Sequence, residues 1–155
     1  MSFRIHALPI DSFAPLMALH DDALRMRGMR RVIADGRPAY PCRVSLQDAT
    51  EGERLLLLPH AHHVVDTPYR ASGPIYVRED AVQAHPEPGE VPALLRARLL
   101  SLRAYAADGM MVSADVMPGT DLEAGLETLF AQAQVEYVHL HYAKPGCYAC
   151  RVTWV

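Results

Sequence analysis

Lysine is nearly missing from this chain: Lys144 is the only one in 155 residues. Arginine supplies the rest of the positive charge. With 15 Lys and Arg against 18 Asp and Glu, the formal net charge is −3. That balance gives no electrostatic reason to expect nucleic acid or an anionic membrane as partner. Aromatic residues are few, at 7%, and the clustered basic stripe of an RNA-binding sheet is absent. No apolar run approaches the roughly 20 residues of a membrane-crossing helix. The opening Met1-Ser2-Phe3-Arg4-Ile5-His6 lacks the charged-then-apolar order of a secretion signal. Cysteine is limited to Cys42, Cys147 and Cys150, an odd count. Together these predict free thiols in a reducing cytoplasm. No cofactor is expected.

What remains is ordinary globular material, with 50% hydrophobic and 21% charged residues. The length fits one domain over residues 1–155. A chain of this size buries roughly 68–70% of its unfolded surface, so it needs no disulfide or metal merely to fold.

Residues 3–8 alternate and read as a strand, 21–27 as a short helix stopped by Gly28, and 31–34 as a strand. Tyr40 precedes a proline, which predicts an extended piece through Leu46. The run Leu55-Leu56-Leu57-Leu58 suits a buried central strand, with His60-Ala61-His62-His63 read as loop after it. Residues 67–73 read as loop, and Pro74 opens a strand through Arg78. Residues 84–92 form an exposed loop and 91–98 a short helix. Beyond it, Ala107-Asp108-Gly109 predicts a hairpin with Gly109 left-handed. The expected register sets Leu100, Leu102, Ala104 and Ala106 opposite Val116, Ala114, Val112 and Met110. Thr120-x-x-Glu123 matches a capping box for a helix to about Gln132, with Leu122, Leu126, Leu129 and Phe130 on one face. Residues 135–142 and 147–154 are the last two strands. The sum is α+β: a mostly antiparallel sheet with two or three short helices, one of them covering the apolar face.

The segments Tyr40-Pro41-Cys42-Arg43, Asp66-Thr67-Pro68-Tyr69-Arg70-Ala71-Ser72-Gly73-Pro74-Ile75, Leu102-Arg103-Ala104-Tyr105 with Asp108-Gly109, and Lys144-Pro145-Gly146-Cys147-Tyr148 are informative together. In combination they resemble a bacterial family catalogued as a domain of unknown function (number 1203). The resemblance implies a single-domain bacterial protein and assigns no activity or residue role.

Chemistry is concentrated in the tail. His139 and His141 are two apart on a strand, so their rings share a face. A metal would need a third and fourth ligand from Cys147, Cys42 or His60/His62, and the spacing matches no standard zinc pattern; a solvated or hydrogen-bonded histidine pair is the plainer reading. Cys42, beside Arg43, is a candidate nucleophile, as is Cys147, with His139 or His141 as base. The plainer reading is a buried, inert thiol. Arg43, Arg70, Arg78 and Arg103 sit in or next to strands, where guanidinium forks suit carboxylate or phosphate. Ser72-Gly73 offers a hydroxyl and a close backbone amide. The alternative for the arginines is internal pairing, Arg103 with Asp115 and Arg70 with Asp66. The leading expectation is a small anionic ligand on the polar sheet face, lined by Arg43, Arg70, Ser72, Arg103, Tyr105, His139 and His141. The second is a non-enzymatic interaction protein, a homodimer through an exposed edge strand such as residues 147–155.

Overall fold

The computed structural model describes residues 1–155. In chain order the elements are β1 (Phe3–His6), a 3-10 turn (Ile10–Ser12), α1 (Ala14–Met17), α2 (Asp21–Met26), β2 (Arg30–Ile33), β3 (Arg54–His63), β4 (Ala71–Arg78) and α3 (Ala93–Arg96). There follow β5 (Leu99–Tyr105), β6 (Met111–Pro118), a second 3-10 turn (Gly119–Asp121), α4 (Leu122–Phe130), β7 (Tyr137–Tyr142) and β8 (Tyr148–Trp154). The class is α+β, with a five-stranded and a three-stranded antiparallel sheet and four short α-helices. The chain divides into two compact units, one of Met1–His6, Ala61–Gly73 and His85–Val155, the other of Ala7–His60 and Pro74–Ala84. No helix is long and apolar enough to cross a membrane.

The first unit holds the sheet β1-β8-β7-β5-β6. Leu100, Leu102 and Ala104 of β5 and Val138 and Leu140 of β7 are fully buried, which is the alternation the sequence predicts for one apolar face. Helix α4 covers that face with Leu122, Leu126 and Leu129. Gly125 is where the helix comes closest: a Cβ there would lie 2.2 Å from Met117 Sδ and 3.3 Å from Leu102 Cδ2. At the other end Phe130 meets Trp154, ring centroids 5.4 Å apart.

Three expectations for this unit need correction. The hairpin turn forms as predicted, with Gly109 at φ 87° and the Ala106 N–H donating to Met110 O. A bulge between Ala104 and Tyr105 then shifts the register by one, so that Leu102 faces Asp115, Arg103 faces Ala114 and Leu100 faces Met117. The slip brings Met117 rather than Val116 under α4, into the space that Gly125 leaves, and leaves Val116 57% exposed. An edge strand tolerates such a bulge because it is paired on one side only. Second, the capping box does not close. No side chain caps the start of α4; Glu123 pairs with Arg96 instead, so Thr120 has no reciprocal partner. Third, β8 is not an edge. β1 returns to pair with it from Phe3↔Trp154 to His6↔Arg151, because Phe3 and Ile5 are apolar and buried on the helix-covered face. The edges are β1 and β6, and Phe3 O accepts the Gly89 N–H from outside β1.

In the second unit, β2 pairs with β3 from Arg30↔Leu57 to Ile33↔Arg54. Its core gathers Phe13, Leu24, Cys42, Val44, Leu56, Leu58, Ile75 and Val77. Helix α2 stops before Gly28, as predicted, and Gly28 takes φ 74°. Residues 40–46 do not stay extended. Leu46 turns back at φ 51°, donating its N–H to Cys42 O, while the Cys42 N–H bonds Gln47 O; folding back lets Cys42, Val44 and Leu46 all bury. The leucine strand is also longer than predicted, because β2 ends at its Leu57 pairing. Pro59 therefore needs no partner on that side, and β3 continues through it to His63. Likewise β4 begins at Ala71, ahead of Pro74, on an edge strand where proline is tolerated.

Two substitutions test this packing. A Cβ at Gly119 would lie 1.8 Å from the carbonyl oxygen of Leu95, a backbone atom that cannot move aside. Gly119→Ala is expected to cost at least about 3 kcal/mol, a fall in Tm of roughly 6–12 °C. Gly73→Ala, which would meet nothing within 4 Å, stays within about 0.5 kcal/mol; equal melting of the two variants would contradict the packing. Thr120→Ala is expected to change urea-unfolding stability by less than about 0.5 kcal/mol, where a closed capping box would lose about 1 kcal/mol.

Candidate functional site

The face of the five-stranded sheet opposite α4 is laid out by register. Arg103 pairs with His139, Tyr105 with Tyr137, and Ser101 with His141. Side chains alternate along a strand, so these six emerge together. Across β7 and β8, Tyr137 faces Thr153 and His139 faces Arg151. A register shift between Leu140 and His141 then sets His141 opposite Tyr148. Without that shift Tyr148 would lie on the α4 side; with it, Tyr148 joins Arg151 on the same face. On β1, His6 extends the row of Arg151, and Arg4 extends the row of Thr153.

His62 and His63, at the end of β3, pack among these rings. The His63 ring lies 4.1 Å from Tyr105 and 5.1 Å from His139, centroid to centroid. His62 lies 5.1 Å from His141 and stacks on Tyr148 at 5.2 Å. His63 is held at both nitrogens, with Nδ1 2.8 Å from Tyr69 O and Nε2 2.6 Å from the Tyr137 hydroxyl. A carbonyl only accepts, so Nδ1 carries the proton and Nε2 accepts from the phenol. His141 donates Nδ1–H to Gly146 O at 3.0 Å in the same way. His139 is 3% exposed, and its Nδ1 is buried without a hydrogen-bond partner. Burial above all, then the neighbouring His63, His141 and His62 and Arg151, holds the His139 imidazole down at about 3. Burial likewise raises the Tyr105 and Tyr137 phenols, which keep their protons.

The positive charge of this face therefore comes from arginine. Arg103, Arg151 and Arg4 enter none of the ion pairs. Arg103 donates Nε–H to Ser101 Oγ at 3.5 Å and draws the Tyr105 phenol down against its burial. Arg151 covers the Tyr137 ring, its Cζ 4.3 Å from the centroid. The one-residue slip of β6 matters here. It places Asp115 opposite Leu102, on the other face from Arg103, and Asp115 Oδ1 instead accepts the Val116 N–H. The expected Arg103–Asp115 pair is thereby ruled out.

Of the residues singled out in the sequence, Arg103, Tyr105, His139 and His141 come together. The histidines do not form a cationic surface, because His141 is 1% exposed and His139 is neutral. Arg70 is exposed and reaches Val65 O at 3.4 Å, with no ion pair to Asp66. Ser72 and Gly73 lie in β4, an extended backbone without the concavity of an anion nest. Cys147 is half-buried next to the β7–β8 turn, its carbonyl accepting the Tyr142 N–H. Cys42 and Arg43 belong to the second unit. There Cys42 is fully buried, its sulfur receiving the N–H groups of Ser45 and Arg78. Arg43 is 2% exposed and donates to Pro41 O at 2.7 Å. Arg78, also of this unit, pairs with Glu53 at 2.5 Å. No group of three or more His, Cys, Asp or Glu side chains is arranged to hold a metal ion.

Sequence reasoning weighed His62 only as a metal ligand, and it missed His63, Tyr137, Tyr148, Arg4 and Arg151. The two β3 histidines were hidden by reading His60-Ala61-His62-His63 as loop, whereas β3 runs to His63. The period-two pattern of the last strand was broken by its bulge, which concealed the shared face of Tyr148 and Arg151.

His139 yields a test by pH. Its folded-state value lies below the ordinary 6.5, so the unfolded chain binds the extra proton between pH 6.5 and 3. Stability is therefore lost as pH falls through that window, by about 2 kcal/mol from pH 6.5 to 4.5. Urea unfolding at both pH values should show the wild type losing about that much more than His139→Asn. An equal loss in both proteins would rule out a buried neutral imidazole.

A protein-family profile described as Protein of unknown function (DUF1203) matches residues 39–154. Neither the curated proteins nor the solved structures include a match to this chain. The match covers both the second unit's buried loop and nearly all of the Arg, His and Tyr face, and the chain belongs to the family Protein of unknown function (DUF1203).

Proposed function

We propose that the first unit binds a small anionic molecule on the sheet face opposite α4, with Arg103 as its main charge contact. The single observation that carries this reading is a half-buried guanidinium with no carboxylate partner, in a row that runs Arg103, His139, Arg151 across the sheet. A guanidinium kept partly out of water ordinarily finds an anion. Here the only carboxylate expected beside it is turned to the other face. Tyr105 and Ser101 steady the fork, which presents its remaining N–H groups to carboxylate or phosphate.

Within this reading His139 is a neutral wall of the site. A pKa of about 3 makes it a poor base near neutrality. His63, held between Tyr69 O and the Tyr137 hydroxyl, orders the floor. Cys42, with two backbone N–H groups already on its sulfur, serves the core of the second unit rather than chemistry. A cytoplasmic setting is supported by three cysteines that form no disulfide, and nucleic acid is disfavoured by the net charge of −3.

Thermal shift with inorganic phosphate, acetate, succinate and citrate tests the proposal. Ligand at roughly 100-fold over its Kd adds about 2.7 kcal/mol, a rise of roughly 5–10 °C for a chain of this size. At least one of these anions should raise Tm in the wild type and in Arg27→Ala, a change of an exposed arginine in the second unit. Arg103→Ala should lose the rise while keeping its circular dichroism spectrum. A rise of the same size in Arg103→Ala would sink the proposal.

A further inference from the structure

The anion face carries more guanidinium than a single acid group needs. Arg151 lies in the same row as Arg103, two strands away through β7, about 10 Å between the backbones. Both heads lean on one aromatic pair. Arg103 acts on the Tyr105 phenol, Arg151 sits over the Tyr137 ring, and the two rings stack at 5.4 Å. The cation–ring contact holds Arg151 in place without neutralising it. Next to Arg151, on the neighbouring strand, Arg4 occupies the row of Thr153. Its Nε is buried and has no hydrogen-bond partner. Two like charges on adjacent strands repel, and a buried guanidinium N–H left unmet is costly. An acid group seated between Arg4 and Arg151 would answer the repulsion. His6, which faces Arg151, is pushed down by burial and by Arg151 and Arg4, as expected where positive charge is uncompensated.

We infer that the ligand is a two-headed acid: one carboxylate or phosphate is held by Arg103 and a second, across a short chain, by Arg151 with Arg4. This rests on the anion-binding reading above and narrows it to a class. The intervening His139 is buried and brings no charge, so the binding charges lie at the two ends of the row and the middle of the ligand is neutral.

The experiment compares half-saturating concentrations, from thermal shift, for acetate, inorganic phosphate, succinate and 3-phosphonopropanoate. In the wild type, succinate or 3-phosphonopropanoate should act at least tenfold below the better of the two single-headed probes. Succinate and 3-phosphonopropanoate separate a carboxylate from a phosphate-type second head. Arg151→Ala should remove the tenfold advantage while leaving the Arg103-dependent response to the single-headed probes. Arg151→Gln, which keeps the stem over Tyr137, should do the same if the alanine variant melts too low to read. Equal potency of one- and two-headed acids in the wild type overturns this inference alone. So does a two-headed advantage that survives both Arg151 variants. A panel with no Arg103-dependent shift at all overturns the anion-binding reading and this inference with it.

Discussion

β7 is paired on both sides, with β5 and with β8, and all six of its residues are buried. A strand clamped that way cannot slip by one residue without exchanging its two faces. Its phase therefore decides what the first unit presents. Val138 and Leu140 go to the helix-covered face, and Tyr137, His139 and His141 go to the other. Everything on the polar side is placed relative to that row: Arg103 and Tyr105 from β5, Arg151 and Tyr148 from β8, and Arg4 and His6 one strand further.

Two small departures from regular pairing do the rest. The bulge between Ala104 and Tyr105 turns Asp115 away from Arg103, and the shift between Leu140 and His141 turns Tyr148 toward the histidines. Each moves one charge or one ring across the sheet. Together they leave arginines without acids on a face floored by tyrosine and neutral imidazole. The burial that packs His139 also denies it a proton, so the chemistry of the face is guanidinium and phenol chemistry rather than that of a cationic histidine cluster.

Much of the scaffold was legible before any coordinates. The alternation of residues 99–105, the left-handed glycine at 109, the leucine spacing of α4 and the stop of α2 at Gly28 are local signals, and each has its cause within a few residues. The failures share a different character. Residues 60–63 looked like loop because the leucine run stops at Leu58, yet β3 continues through Pro59, beyond the reach of β2, to His63. Thr120 and Glu123 looked like a capping box, yet Arg96 drew the carboxylate away. Residues 147–155 looked like an exposed edge strand, yet β1 pairs with them.

The sequence by itself determined the α+β class, most of the elements, the hairpin turn, and that Arg103 shares a strand face with Tyr105 and His139 with His141. These follow from periodicity and turn chemistry, which act along the chain. The tertiary structure alone decided which carboxylate would miss which arginine, that β3 would bring His62 and His63 to the same rings, and that His139 would be neutral. Those outcomes depend on cross-strand register and on burial, and both are settled only when segments far apart in sequence compete for the same space.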